Sequence, residues 1–170
     1  MQHVGFTVSS FEDRLSKAIQ RGRRAGDAEE RRRAAEAMNE QELRSLYGDF
    51  RLSLTEHIEK TFRELIRQVP GFRFETIMNE RGWGSAVYRD DIRIDAATRK
   101  RSNLYSRWEM VVRPLSEYLV LEISGKGTVL NRELLNRDFY RPLGEVDSAE
   151  FHELIDRWTL EFAELYASKQ

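Results

Sequence analysis

At Pro70-Gly71-Phe72-Arg73-Phe74-Glu75-Thr76-Ile77-Met78-Asn79 the period of the sequence changes. Before this stretch apolar residues recur every three or four positions, and after it they alternate with polar ones. A residue without an amide hydrogen, followed by one free to take positive φ, stops a helix. Residues 1–70 are therefore expected to be helical, and strands are expected from Phe72 onward.

Downstream, four segments alternate: 72–79, 86–96, 105–113 and 118–124. Arg81-Gly82-Trp83-Gly84 reads as the first hairpin turn, 97–103 as a basic loop and Pro114 to Glu117 as a further turn. Residues 72–124 thus predict an antiparallel β-meander. Gly125-Lys126-Gly127 is read as another turn, and residues 125–146 as an irregular or edge segment. Asp147 and Glu150 form a capping box for a C-terminal helix over 147–168, with Phe151, Leu154, Ile155, Trp158, Phe162 and Leu165 on one face.

Upstream, three helical pieces are expected. Phe11, Leu15, Ala18 and Ile19 mark the first, weakened by Gly22 and Gly26. Asp27 to Met38 is the second, with only Ala34, Ala35, Ala37 and Met38 as apolar contacts. The third carries Leu43, Tyr47, Phe50, Leu54, Ile58, Leu65 and Val69 and is the main core helix. The expected fold is one α+β domain over residues 1–170. Its N-terminal and C-terminal helices cover one face of a four- or five-stranded antiparallel meander.

The chain has 170 residues, enough for one hydrophobic core, and 28 Lys+Arg balance 29 Asp+Glu. It has no cysteine, which excludes disulfides, thiolate nucleophiles and cysteine-held zinc or iron–sulfur centres. No apolar run reaches the 18 or so residues of a membrane span, and Met1 to Val8 lacks the pattern of a secretory signal. A cytoplasmic protein with no membrane contact is the expectation.

Alternation divides the sheet into two faces. Phe72, Phe74, Met78, Tyr88, Ile92, Ile94, Trp108, Met110, Val112, Leu119, Leu121 and Ile123 are read as a floor under the helices. The opposite set contains Arg73, Arg89, Arg93, Arg107 and Arg113 with Glu75, Asp91, Asp95, Glu109 and Glu122. These five arginines, with Trp83 at the presumed hairpin tip, are the candidate binding residues. Guanidinium groups on rigid strands suit carboxylate, phosphate or a partner chain. The alternative for the same face is cross-strand ion pairing.

Arg99, Lys100 and Arg101 form the candidate anion or nucleic-acid contact. Basic and acidic residues number 13 and 12 over 1–70, 9 and 6 over 73–113, and 6 and 11 over 117–170. A duplex-binding domain normally carries a larger basic excess, which places nucleic acid second. His152, Glu153 and Asp156 partly match a zinc-helix motif but lack a third ligand, so no metal is expected. Ser124-Gly125-Lys126-Gly127-Thr128 fails the phosphate-loop pattern at Gly127 and Val120, and no nucleophile elbow or dinucleotide fingerprint occurs. Arg132, Arg137 and Arg141, with Phe139 and Tyr140, suit the capping of an edge strand.

The leading expectation is a non-enzymatic protein-binding or assembly module, adaptor- or chaperone-like by fold analogy alone, that self-associates and uses no cofactor. A weak nucleic-acid or anion binder is the second reading. An enzyme with an acid/base pair on the sheet face, such as Asp91 or Glu109 beside Arg107, is the third.

Overall fold

The computed structural model describes residues 10–170, without the side chains of Ala35 and Met38. The reading of Met1 to Val8 and the expected contacts of Ala35 and Met38 fall outside the described residues. The chain divides into two compact units between Glu42 and Leu43.

Helix α1 (Phe11–Gln68) replaces the three predicted helical pieces. Gly22, Gly26 and Asn39 each cost about 1 kcal/mol or less in a helix interior, and the intervening Arg, Glu and Ala residues favour helix. No proline precedes Pro70. Within the first unit, Arg32 pairs with Glu29 at 2.8 Å and Glu36 at 3.2 Å, and Arg33 pairs with Glu29 at 3.2 Å. Such neighbours one turn apart each add a few tenths of a kcal/mol.

The second unit is α+β. Strands β1 (Arg73–Asn79), β2 (Gly82–Ile94), β3 (Arg101–Val112), β4 (Val120–Val129) and β5 (Arg132–Pro142) form one antiparallel sheet in sequential order. A 3-10 turn (Leu143–Glu145) leads into helix α2 (Ser148–Ala167), capped by the Asp147 carboxylate accepting from the Ala149 amide at 3.0 Å. Residues 43–68 of α1 and the apolar face of α2 cover one side of the sheet. Leu54, Ile58 and Phe62 meet Trp108, Met110, Leu121, Ile123, Phe151, Ile155 and Phe162 in the core. The Trp108 ring stacks on Phe162, and its indole N–H donates to Thr159 Oγ1 at 3.1 Å.

Two expectations about the strands are corrected. Gly125 to Gly127 are strand and not a turn, because they lie inside β4, while the edge strand expected within 125–146 is present as β5. A Cβ at Gly125 would stand 2.9 Å from the Trp108 ring and 3.0 Å from Trp158, and one at Gly127 would stand 3.1 Å from Phe162. The glycines make room for rings. The hairpin turn falls later, at Leu130 and Asn131, whose φ values of 47° and 71° give the mirror-image turn that suits strand twist.

The second correction concerns the faces. Val87 pairs with Trp108, Ser85 with Met110 and Trp83 with Val112, so these β2 residues share the helix-facing side. Tyr88, Ile92 and Ile94 pair with Arg107, Asn103 and Arg101 on the reverse side. They are not part of the floor, and Met78, also assigned to it, is exposed. A shift of one residue in strand phase exchanges the faces.

Candidate functional site

The sheet's reverse side holds Arg73, Arg107 and Arg113, whereas Arg89, Arg93 and Trp83 fall on the helix-facing side. The six candidate binding residues therefore do not form one surface. Trp83 is also not at a hairpin tip: it lies within β2, half-buried against the core, with the Arg51 guanidinium 4.4 Å above its ring. Arg89 pairs with Asp91 at 2.8 Å and donates to the Pro70 carbonyl at 2.9 Å, tying β2 to the chain after α1.

On the reverse side the charges satisfy one another. Arg107 reaches Glu75 at 3.1 Å and Glu109 at 3.0 Å, and Arg81 reaches Glu109 at 3.2 Å. This network roofs a small apolar cluster of Ile77, Ala86 and Val111. Ala86 has the short side chain that lets Arg107 on β3 reach across β2 to β1. Glu109 is 8% exposed. Burial pushes its carboxyl up, but the Arg81 and Arg107 guanidiniums outweigh burial and hold it below the ordinary carboxylate range. Burial likewise opposes the charge on Arg107, and its bonds to Tyr105, Glu75 and Glu109 reverse that effect and raise its pKa. Glu109 is thus fixed as an anion between two cations.

The two histidines separated in sequence meet. His57 on α1 and His152 on α2 stack at 4.4 Å, His57 Nε2 lies 2.8 Å from Asp156, and His152 Nε2 lies 3.3 Å from Ser53 Oγ. Burial lowers the His152 pKa first, His57 lowers it further, and Asp156 offsets part of the shift. Among the described residues no group of three or more His, Asp or Glu side chains is arranged to hold a metal ion.

Beside this cluster, residues 57–69, from α1 and the turn that follows it, and residues 156–163 of α2 line a groove of about 560 Å³. Leu65, Val69, Leu160 and Ala163 supply its apolar surface, with Lys60, Glu64 and Asp156 at its edges. Leu160 is 69% exposed there. The sequence reading missed this groove. Its one signal is Leu160 itself, an apolar residue off the face shared by Phe151, Leu154, Ile155, Trp158 and Phe162. On the opposite flank of α2, Arg137 forks onto Glu161, and Arg141 pairs with Glu150 at 2.8 Å. Those arginines fasten β5 to the helix.

Arg99, Lys100 and Arg101 lie at the β2–β3 connection, where Arg99 takes a φ of 52°. None of the described helices is long and apolar enough to cross a membrane. Comparison with protein-family models, with curated proteins and with solved structures finds no match to this chain.

Proposed function

We propose that the chain is a binding and assembly module that associates with its own copies, the apolar stripe of one copy's first unit entering the α1–α2 groove of another. The observation that carries this reading is the uncovered apolar groove with Leu160 protruding into solvent. Grooves of this kind receive amphipathic helices through apolar residues recurring three or four positions apart on one face. Phe11, Leu15 and Ile19 have that spacing and are 69, 47 and 48% exposed.

Charge supports the same pairing. Residues 11–24 hold Arg14, Lys17, Arg21, Arg23 and Arg24 against Glu12 and Asp13, whereas the outer side of α2 carries Glu153, Asp156 and Glu164 against Arg157. Opposite net charges on the two segments favour their encounter. Reciprocal exchange between two copies would close a pair and leave no open end.

Light scattering or sedimentation of the full chain from about 1 to 200 µM, the range of moderate-affinity association, tests the proposal. The expected mass rises above 20.1 kDa with concentration. Leu160→Glu alone, or Leu15→Glu with Ile19→Glu, returns it to the monomer. A wild-type chain that stays monomeric throughout, or an assembly indifferent to both changes, refutes the reading.

A further inference from the structure

The β2–β3 hairpin outruns the sheet. β1 ends its pairing with β2 at Arg73–Tyr88, and β4 ends its pairing with β3 at Thr128–Arg107. Beyond those pairs β2 and β3 continue alone for six more, from Arg89–Ser106 to Ile94–Arg101. At about 3.3 Å per residue this is a two-stranded arm about 20 Å long.

The root of the arm is fixed. Asn131, from the β4–β5 turn, accepts from the Tyr105 amide at 2.7 Å, donates its own amide to the Tyr105 carbonyl at 2.8 Å and donates its side chain to the Asn103 carbonyl at 2.8 Å. The tip is also built: the Asp95 carboxylate accepts from the Ala97 and Thr98 amides at 2.8 and 2.9 Å, and the Arg99 amide returns to the Asp95 carbonyl at 2.8 Å. Those amides hold the Asp95 carboxyl below its ordinary range and occupy it within the turn.

Arg93, Arg99, Lys100 and Arg101 have no carboxylate partner among the described residues, unlike Arg107, Arg81 and Arg89 nearer the sheet. Residues 93–101 hold these four cations against Asp95 alone. The near-neutral total for the chain hides this segregation. Arg101 shares one side of the arm with Ile94, and Arg93 lies on the other, so cations flank the ribbon on both sides.

We infer that the β2–β3 arm is a nucleic-acid-binding ribbon whose tip cations contact phosphates. A two-stranded ribbon fits the major groove of a duplex, and arginine forks match phosphate oxygens in pairs. An anionic membrane would instead favour bulky apolar residues in the tip turn itself, where the chain has Ala96, Ala97 and Thr98; the exposed Ile92 and Ile94 stand on one side of the ribbon, behind the turn. Asp91 is already neutralised by Arg89, which leaves Asp90 as the one acid on the arm's strands without a cationic partner among the described residues. The inference does not depend on the self-association proposed above.

Fluorescence anisotropy of the full chain with a labelled duplex DNA of about 25 base pairs, titrated between about 50 and 200 mM salt, tests it. Four phosphate contacts give a slope of log K against log salt of about −3.6. Arg99→Gln with Lys100→Gln and Arg101→Gln should cut affinity at least about tenfold at the lower salt and flatten the slope toward about −0.9, with unchanged circular dichroism. Lys100→Gln alone, on an exposed side chain, should show a smaller loss in the same direction. Lys169→Gln, at an exposed cation outside the arm, should leave the slope unchanged. No binding at the lower salt, or binding that the triple variant retains, overturns the inference. So does capture by phosphatidylserine vesicles through the arm with none by DNA.

Discussion

His57 and His152 stack face to face at 4.4 Å, one from each helix above the sheet, with Asp156 bonded to the first ring and Ser53 beside the second. Burial of the His152 ring disfavours a charge on it, the stacked His57 adds to that effect, and Asp156 offsets only part of it.

The fold should therefore weaken on mild acidification. His152 has a folded pKa below its ordinary value of 6.5, so the unfolded chain takes up the proton first. Its contribution is complete above that value and is lost as pH falls through the lower folded one. Urea midpoints measured from about pH 7.5 to 5 should fall, and His152→Asn should remove part of the slope. An unchanged slope in that variant would assign the effect to other groups.

Glu109 is expected to matter most among the sheet carboxylates. Replacing it by Gln leaves Arg81 and Arg107 facing each other over Ile77 and Val111, at a cost of about 2 to 3 kcal/mol, below the range for fully buried pairs because Arg81 is half-exposed. Because its folded pKa lies below the ordinary 4.5, the wild-type advantage should be full above that pH and shrink as pH falls through the folded value. Equal denaturant midpoints for the two proteins at pH 7 would show that the pairing contributes nothing.

Glycine positions should separate by what a methyl group meets. Gly125→Ala places it against Trp108 and Trp158 and should cost about 1 to 3 kcal/mol. Gly22→Ala meets nothing within 4 Å and should strengthen α1 by about 1 kcal/mol, read as added helical dichroism. If both substitutions shift thermal stability alike, the close packing of rings over β4 is wrong.

Thr159→Val should leave the buried Trp108 indole N–H without an acceptor. A loss of about 1 to 2 kcal/mol is expected, with a change in tryptophan fluorescence, whereas Thr159→Ser should retain most of the stability. A valine variant as stable as wild type would mean that the indole finds another partner.

How much of this was legible in the sequence differs from element to element. The C-terminal helix could be read because Asp147 marks its start and its apolar residues keep one face. The phase of β2 could not, because Val87 and Tyr88 are both apolar. The choice between them is made by Trp108 across the ladder, a contact far along the chain. Gly125 and Gly127 resemble a turn until Trp158 and Phe162 arrive from α2 to fill the space above them. The charged residues were found, but their division between two faces follows from the same strand phase. The groove was missed because a single exposed leucine seldom means anything alone.

Asn131 has a further consequence. It turns the corner between β4 and β5 and, through three hydrogen bonds, braces the root of a lever whose far end is free. With glycine in its place the corner would still form, but the side-chain brace would go and the lever would swing as on a loosened hinge. Hydrogen exchange at Asn103 and Tyr105 should then quicken while the packed layers beneath stay still.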